Sequence, residues 1–437
     1  LISRFCTYPS WQGSAQHIRT FAKLLLENNH KIKVISGEYV DKVENIMQDG
    51  YELIKVPITY YSSTSEKFCS VSYKNSDHSS LAKEIINQFG PDIVHIGVPA
   101  QMYGFIEVAK QKNIPTVAMV HSYEWVCMQK FLLNSDNKKC SGPNNDSCTR
   151  CITGYMSKKS RFYLFIYKLF KHIFSANYIK KKDKRFNITK NVNNSLNRMV
   201  NARNDINLFI AQSDYSVKLL MDNGVNKKNI VRVNQWLSDD KLINYAKGYR
   251  ANKKIIIGYV GRLSIEKGLN IIDKSLREIS HLKDNFEFHI ISSDSNFELV
   301  NLLFKRVYDS GITIKLHSDL QEGNELQKAI ANLDLCLIPS IWYEVGPRVL
   351  LEALAQKVPC ITSRTVGNNY LITDNINGRI LNDNYEDWAN ILAEVVLNPE
   401  ILSQWKKNIP KIRDKNIWFN EMIELHENIS DNLNLNN

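Results

Sequence analysis

The chain has 437 residues and a formal net charge of +11, and its 43% hydrophobic and 23% charged residues are ordinary for a globular protein. A single hydrophobic core stops growing at about 250–300 residues, so the length predicts two domains. The composition excludes a disordered, collagen-like or disulfide-scaffold chain, and the longest apolar runs are far shorter than the ~20 residues of a membrane-spanning helix.

The first half of the sequence alternates short apolar runs with helical patterns. Residues 2–5 are strand-like, residues 15–27 have the pattern of an amphipathic helix, and residues 31–36 return to a strand. This succession predicts a β-α-β unit. No secretory signal precedes the first strand, and because the sequence begins inside that strand we expect a few residues upstream of it. Further strands are predicted at residues 93–96, 116–121, 208–212 and 230–234.

The second half repeats the alternation after the polar stretch 241–253, which we interpret as a linker. Short apolar strands separated by helices favour parallel sheets covered on both faces. The fold class is therefore α/β, with two doubly wound domains over residues 1–240 and 254–405. A helical segment at 406–437 is expected to return towards the first domain. The strands of the second domain are predicted at residues 254–260, 286–292, 313–316, 334–339 and 359–362.

Polar residues follow several of these strands at the point where each strand ends. Doubly wound sheets bind their ligands at the carboxyl ends of the strands, so these positions are where chemistry is expected. In chain order they are Gly13-Ser14, His121, Arg262 and Glu344.

Two cations and two carboxylates in the second half are candidates for binding a phosphorylated ligand. Arg262 and Lys267 lie in a strand-to-helix turn, where backbone amides and both cations could neutralise a diphosphate. Glu344 and Glu352 are eight residues apart, and Pro347 between them is favoured at the first position of a helix. Both carboxylates could then reach sugar and ribose hydroxyls at that helix N-terminus.

Simpler interpretations exist for each of these residues. Surface cations in a loop are usually just solvated, and Glu352 could be an ordinary exposed helix residue, although apolar neighbours would make an unpaired carboxylate costly there. The sequence contains no Gly-x-Gly pair, no Asp-x-Asp and no phosphate-binding P-loop motif. It therefore lacks the usual signals of dinucleotide binding, of metal-dependent sugar transfer and of P-loop phosphoryl transfer.

Several motifs taken together resemble the nucleotide-sugar-dependent glycosyltransferases of family 4, which have the GT-B fold. The resemblance extends from the first loop to the last helix, and it implies two Rossmann-like domains that face a cleft. The motifs are GYVGRLSIEKG at residues 258–268, PSIWYEVGPRVLLEAL at residues 339–354, Val358-Pro359 and Asn377-Gly378.

The resemblance implies roles for individual residues of the second domain. Arg262 and Lys267 would hold the diphosphate of a UDP- or GDP-linked sugar, Glu344 the sugar and Glu352 the ribose. The family retains the anomeric configuration without a catalytic metal, and the leaving phosphate oxygen takes the acceptor proton. Backbone amides near Gly346 to Leu350 would face the sugar and the phosphates, so the donor-binding positions would be Gly346, Pro347, Arg348, Val349 and Leu350.

In the first domain the resemblance places Gly13 near the phosphates and His121 near the transferred sugar. The sequence departs from the family pattern at three places. It has Trp11-Gln12-Gly13-Ser14 where two adjacent glycines are common, Val233-Asn234-Gln235 in place of Pro-Asn-Gly, and Ser292-Ser293-Asp294-Ser295 where a Gly-Asp/Glu-Gly turn is usual.

Four of the eight cysteines are concentrated in the loop 121–151. Their spacing closes with a C-x-x-C and permits a tetrahedral zinc site, which would be structural because a full thiolate shell leaves no open coordination position. Some bacterial members of the family have a similar Cys-rich loop. Free thiols and disulfides are the alternatives. The four residues are Cys127, Cys140, Cys148 and Cys151.

The segment 151–203 carries most of the positive charge, with thirteen Lys or Arg residues against the single Asp183. Aromatic residues recur between the cations of this basic segment at helical spacing, which suits an anionic membrane surface. A helix with its aromatic stripe in the core is the alternative. Nucleic-acid binding is a third interpretation, which is disfavoured because no known nucleic-acid motif accompanies the charge.

The sequence therefore predicts a retaining glycosyltransferase at the cytoplasmic, inner face of the bacterial cytoplasmic membrane. Its acceptor would be a saccharide or a lipid-linked saccharide in surface polysaccharide synthesis, and its only metal a structural zinc. Two other functions stay open at this point: a nucleotide-sugar epimerase of related two-domain fold, and a zinc-stabilised nucleic-acid-binding protein.

Overall fold

The structure is a computed structural model, and the chain divides into two units. Unit 1 comprises Leu1–Ala211, Ser216–Arg232 and Glu421–Asn437, and unit 2 comprises Gln212–Tyr215 and Val233–Asn420. The residues that the structure describes are 1–8, 13–58, 78–136, 138–154, 186–243, 245, 254–292, 304–318, 320 and 324–434.

The division at Arg232 and Val233 lies earlier than the boundary predicted at residue 240. The first residues of the predicted linker 241–253 belong to unit 2, because Lys241 is buried there in a short helix. Most of the remaining linker lies outside the described residues, as does the part of the basic segment from 155 to 185.

Unit 1 contains an eight-stranded sheet in the order β3-β4-β2-β1-β5-β6-β7-β8. All neighbouring strands are parallel except β3 and β4, which form an antiparallel hairpin. The central strands β1, β5, β6 and β7 are buried along their whole length, as expected for a parallel sheet covered on both faces. The strands are β1 (Ile2–Arg4), β2 (Lys33–Glu38), β3 (Glu44–Gln48), β4 (Tyr51–Pro57), β5 (Val94–Ile96), β6 (Thr116–Met119), β7 (Leu208–Ala211) and β8 (Ile230–Arg232).

Helices connect these strands. The amphipathic pattern predicted at residues 15–27 is a helix that buries Ile18, Phe21 and Ala22. The helices are α1 (Gly13–Glu27), α2 (Ser79–Phe89), α3 (Tyr103–Gln111), α4 (Asn145–Gly154), α5 (Phe186–Asn204) and α6 (Asp214–Asp222).

The β3–β4 hairpin was not predicted from the sequence, although a local signal for it exists. Gln48 pairs with Tyr51, so the loop has two residues, Asp49 and Gly50. Both have positive φ angles, 51° and 87°. This is the conformation that Asp-Gly favours in tight hairpins.

Unit 2 contains a six-stranded parallel sheet in the order β11-β10-β9-β12-β13-β14. Counted within the unit, this is the doubly wound order 3-2-1-4-5-6, in which the direction of winding reverses between β9 and β12. The two parallel α/β sheets predicted from the sequence are thereby confirmed. The strands are β9 (Ile255–Val260), β10 (Phe286–Ile291), β11 (Ile314–His317), β12 (Leu335–Ile338), β13 (Cys360–Ser363) and β14 (Gly378–Leu381).

The helices of unit 2 cover both faces of its sheet. Two groups of buried apolar residues contain side chains from β9, β12 and β13 together with helical residues such as Leu276 and Leu351. The helices are α7 (Asp239–Leu242), α8 (Leu269–Glu278), α9 (Asn324–Ala331), α10 (Arg348–Ala355), α11 (Tyr385–Leu397), α12 (Glu400–Lys407) and α13 (Lys415–Asn434).

The C-terminal part of α13 belongs to unit 1 and is bound there by two buried histidines. Nδ1 of His95 on β5 lies 3.0 Å from Nε2 of His426, and Nδ1 of His426 lies 2.6 Å from the carbonyl oxygen of Met422. His426 therefore donates to the carbonyl and accepts from His95, so the ring of His426 is neutral. Burial lowers the pKa of His426 to about 4 and that of His95 well below its usual value.

This pair makes the stability of unit 1 depend on pH. Because the pKa of His426 is about 4 in the folded protein and about 6.5 in an unfolded chain, the unfolded chain binds more protons between these values. Through His426 alone, the free energy of unfolding should fall by about 2 kcal/mol from pH 7 to pH 5. Thermal unfolding at both pH values should show this loss in the wild type and in a control with exposed His281→Gln. A His426→Phe variant with the same pH dependence as the wild type would contradict it.

Candidate functional site

The loops that follow β9 and β12 lie against each other at the point where the winding of the unit 2 sheet reverses. The backbone N–H of Ile341 donates to the carbonyl oxygen of Glu266 at 3.0 Å. Gly268 has φ = 78°, and a Cβ atom there would lie 1.9 Å from the carbonyl oxygen of Pro339. Only glycine allows this approach, which fixes the neighbouring Lys267 beside the second loop.

Lys267 and Glu344, both predicted as ligand contacts, form an ion pair in which the amine donates to Oε1 of Glu344. The indole N–H of Trp342 donates to the same oxygen at 3.2 Å. Oε2 of Glu344 is buried and has no hydrogen-bond partner among the described residues. Glu344 is only 2% exposed, whereas the Lys267 side chain is 20% exposed.

Arg262 lies in the same loop after β9 and is much more exposed than Lys267. Its guanidinium is 3.5 Å from the carboxylate of Glu266, with the side chain 54% exposed. An exposed pair of this kind contributes little to stability, so it costs little to redirect the guanidinium to a bound anion. The backbone here is held by Tyr259, whose hydroxyl donates to the carbonyl oxygen of Arg262.

The start of α10 is fixed by two amide side chains. The sequence predicted that this helix begins near Pro347. In the structure Pro347 is the N-cap, and the helix begins one residue later, at Arg348. Gln235 donates to the carbonyl oxygen of Gly346 at 2.8 Å, and Asn368 donates to that of Pro347 at 3.0 Å. These bonds orient the backbone of the loop that leads into the helix.

The amides predicted to face the sugar and phosphates are not equivalent. The N–H of Leu350 donates to the carbonyl oxygen of Pro347 at 3.1 Å, so this amide is already used within the first turn. Pro347 has no N–H, and Arg348 and Val349 are the first two residues of α10. The first N–H groups of a helix have no partner in the helix and form a site for anions.

Glu352 is buried rather than solvated, and its charge is compensated by Lys241. The amine of Lys241 lies 2.7 Å from Oε1 of Glu352, and the two side chains are 10% and 9% exposed. The sequence placed Lys241 in a linker and did not identify this partner. The role of Glu352 towards a ribose stays a prediction.

In unit 1, His121 follows β6 and lies edge-on to the ring of His17, with 4.6 Å between the ring centroids. His17 is a buried residue on the first turns of α1 that the sequence analysis did not single out. Gly13 is the exposed first residue of the same helix. The neighbouring Trp11 and Gln12 lie outside the described residues.

No disulfide joins the four clustered cysteines. Burial raises the pKa of Cys127 to about 11 and that of Cys151 to about 12, and the charges of neighbouring thiols add to both increases. In the described part of the chain, no three His, Cys, Asp or Glu residues are grouped so as to hold a metal ion. The donor type suits zinc, but the thiols do not enclose a coordination site in this arrangement.

Comparisons with known proteins match both halves of the chain. The family model described as Glycosyltransferase Family 4 matches residues 11–236, and the model described as Glycosyl transferases group 1 matches residues 240–412. Spore coat protein SA of Bacillus subtilis (strain 168) is 29% identical over 155 residues, which are 34% of this chain and 41% of that protein. The matched part thus spans about two fifths of this curated relative.

Two solved structures share the fold over nearly the whole chain. Anabaena HepE in complex with UDP and glucose has a TM-score of 0.61 at 13% identity, covering 97% of this chain and 98% of that one. WaaG, a glycosyltransferase involved in lipopolysaccharide biosynthesis, has a TM-score of 0.59 at 12% identity, covering 94% of both chains. At such identities the likeness establishes the fold alone.

The contact at Gly268 leads to a prediction on stability. A residue with a Cβ in this left-handed conformation costs about 1–2 kcal/mol. Gly268→Ala should lower the free energy of unfolding of unit 2 by more than this, because the new methyl group also meets the Pro339 carbonyl. Gly311→Ala, also in unit 2, is the matched control, since it has φ = 85° and its Cβ would meet only the flexible end of the Lys283 side chain. Urea unfolding followed by fluorescence compares the two. Equal losses in both variants would show that the two loops do not pack as described.

Proposed function

The chain belongs to the family 4-like glycosyltransferases of the GT-B fold, and on this basis we propose that it moves a sugar from a nucleotide-sugar donor to a saccharide acceptor, with retention of the anomeric configuration. The observation that carries the proposal is the pair of charges at the reversal point of the unit 2 sheet. There the partly exposed cation of Lys267 adjoins the buried carboxylate of Glu344. A diphosphate needs a cation to neutralise it, and a hydroxylated sugar needs a carboxylate to accept its hydrogen bonds.

The donor is a UDP- or GDP-linked sugar. Lys267 and Arg262 hold its diphosphate beside the first amides of α10, and Glu344 accepts hydrogen bonds from the sugar. Glu352, on the second turn of α10, is the partner of the ribose. The presence of UDP and glucose in the HepE structure supports a nucleotide-linked sugar.

The transfer needs no metal in this proposal. As the bond between the anomeric carbon and the phosphate oxygen breaks, negative charge develops on the diphosphate, where the two cations and the helix N-terminus stabilise it. The acceptor hydroxyl forms the new glycosidic bond, and its proton passes to the departing phosphate oxygen. Gly13 and His121 are the proposed contributions of unit 1, near the phosphates and the transferred sugar.

The acceptor is proposed to be a lipid-linked saccharide of a bacterial surface polysaccharide, reached at the inner face of the cytoplasmic membrane. Support comes from the thirteen Lys and Arg residues of the basic segment 151–203, each worth about 1 kcal/mol near an anionic surface. The lipopolysaccharide role of WaaG is a further support. Among the described residues no helix is long and apolar enough to cross a membrane.

Transfer should depend on both members of the charged pair. Glu344→Gln and Lys267→Ala should each lose most of the transfer of radiolabelled sugar from UDP- or GDP-linked donors into a bacterial membrane lipid extract. Glu278→Gln, an exposed residue at the end of α8, is the control and should retain activity. Turnover near that of the wild type in either site variant would refute the assignment.

We also propose that the four clustered cysteines, whose spacing closes with a C-x-x-C, draw together around a structural zinc ion when the metal binds. Such a site would need all four thiolates, and burial raises the pKa of Cys127 and Cys151 to about 11 and 12. Zinc therefore has to displace protons that these thiols otherwise retain at neutral pH, and its affinity should increase with pH.

Elemental analysis of protein purified without chelator should find about one zinc per chain. The double variant Cys148→Ser/Cys151→Ser should lose it, because a tetrahedral site does not survive the loss of two ligands. Cys336→Ala, at a buried cysteine of unit 2, should keep it. Wild-type protein without zinc would end the proposal.

A further inference from the structure

The ion pair between Lys267 and Glu344 is asymmetric in its access to solvent. The Lys267 side chain is 20% exposed and that of Glu344 3% exposed. A ligand that approaches from solvent therefore meets the amine first. A phosphate oxygen can compete for this amine directly, whereas the carboxylate is reached only by a group that enters further.

Glu344 has little freedom to compensate for the loss of Lys267. Its backbone N–H donates to the carbonyl oxygen of Thr365 at 2.9 Å, and its own carbonyl oxygen lies 2.5 Å from where a Cβ of Gly367 would be. The segment that follows β13 thus holds the backbone of Glu344 in place. If the amine leaves, the carboxylate stays buried, and the Trp342 indole is its remaining hydrogen-bond donor among the described residues.

A buried charge that loses its partner is strongly destabilising. A nucleotide sugar avoids this cost, because its diphosphate takes the amine while its sugar hydroxyls can donate to Glu344, where Oε2 is buried without a hydrogen-bond partner among the described residues. A nucleoside diphosphate without a sugar takes the amine and gives the carboxylate nothing in return.

We propose that the Lys267–Glu344 pair makes unit 2 discriminate against a sugar-free nucleoside diphosphate, and so favours release of the product once the sugar has been transferred. This rests on the proposed function, since it assumes that a diphosphate binds at Lys267. Glu344 thereby has a second role besides contacting the sugar: its charge competes with the diphosphate for Lys267.

The test is the affinity for UDP and for GDP, measured by calorimetry on the full chain. Glu344→Gln keeps the shape of the side chain but removes the charge that needs Lys267. It should bind the better of the two diphosphates roughly tenfold more tightly than the wild type, which corresponds to about 1.4 kcal/mol. The gain should disappear in the double variant Glu344→Gln/Lys267→Ala, because the amine is then absent from both the free and the diphosphate-bound protein.

Glu266→Gln is the matched control, since it removes one negative charge from the loop that carries Lys267, where Glu266 pairs with the exposed guanidinium of Arg262. Its effect should stay within about threefold. Should Glu344→Gln fail to fold, Glu344→Asp, which draws the carboxylate back from Lys267, should tighten diphosphate binding in the same direction.

Three results would overturn the inference. Unchanged or weaker diphosphate binding by Glu344→Gln, with its transfer lost, would remove the discrimination but leave the proposed function standing. Equally tighter diphosphate binding by Glu266→Gln would show that the loss of any nearby negative charge has this effect, without a role for the Lys267–Glu344 pair. If neither UDP nor GDP binds to the wild type or to any variant, both the inference and the proposed donor site fail.

Discussion

A carboxylate can be buried in a protein only if its charge is compensated, and Glu344 meets this condition through Lys267. The two residues come from loops 77 residues apart in the sequence. They meet because Gly268 lets the first loop pass directly over the Pro339 carbonyl. The site therefore depends on one backbone contact as much as on the charged side chains themselves.

The sheet topology explains why this contact occurs where it does. In the order of the unit 2 strands, β9 and β12 are neighbours although two strands and their helices separate them in the sequence. Their loops leave in opposite directions around the sheet and open a crevice at its carboxyl edge. The same crevice receives the N-terminus of α10, so cations, amides and carboxylates gather at one place.

Much of this arrangement was predictable from local patterns. The alternation of apolar strands and helices gave the two parallel sheets, and the motifs around Lys267 and Glu344 identified the residues that the structure brings together. The β3–β4 hairpin was missed even though Asp49-Gly50 is a recognisable turn signal. This hairpin was predictable, because its signal is a local dipeptide.

Other features could not be read from the sequence because they are pairings between distant residues. Lys241 looked like a linker residue, and its partner Glu352 lies 111 positions away. The contact between His17 and His121 likewise leaves no periodic signal. Local patterns predict strands, helices and the loops at their ends. Which cation compensates a buried carboxylate depends on how distant parts of the chain pack together.

The most direct test of the account is a crystal structure of the protein with its nucleotide-sugar donor bound. We expect the diphosphate at the Lys267 amine and the α10 N-terminus, with a sugar hydroxyl on the Glu344 carboxylate and the Lys267–Glu344 ion pair opened. A donor bound elsewhere, or bound at this edge of the sheet with the ion pair intact, would contradict it.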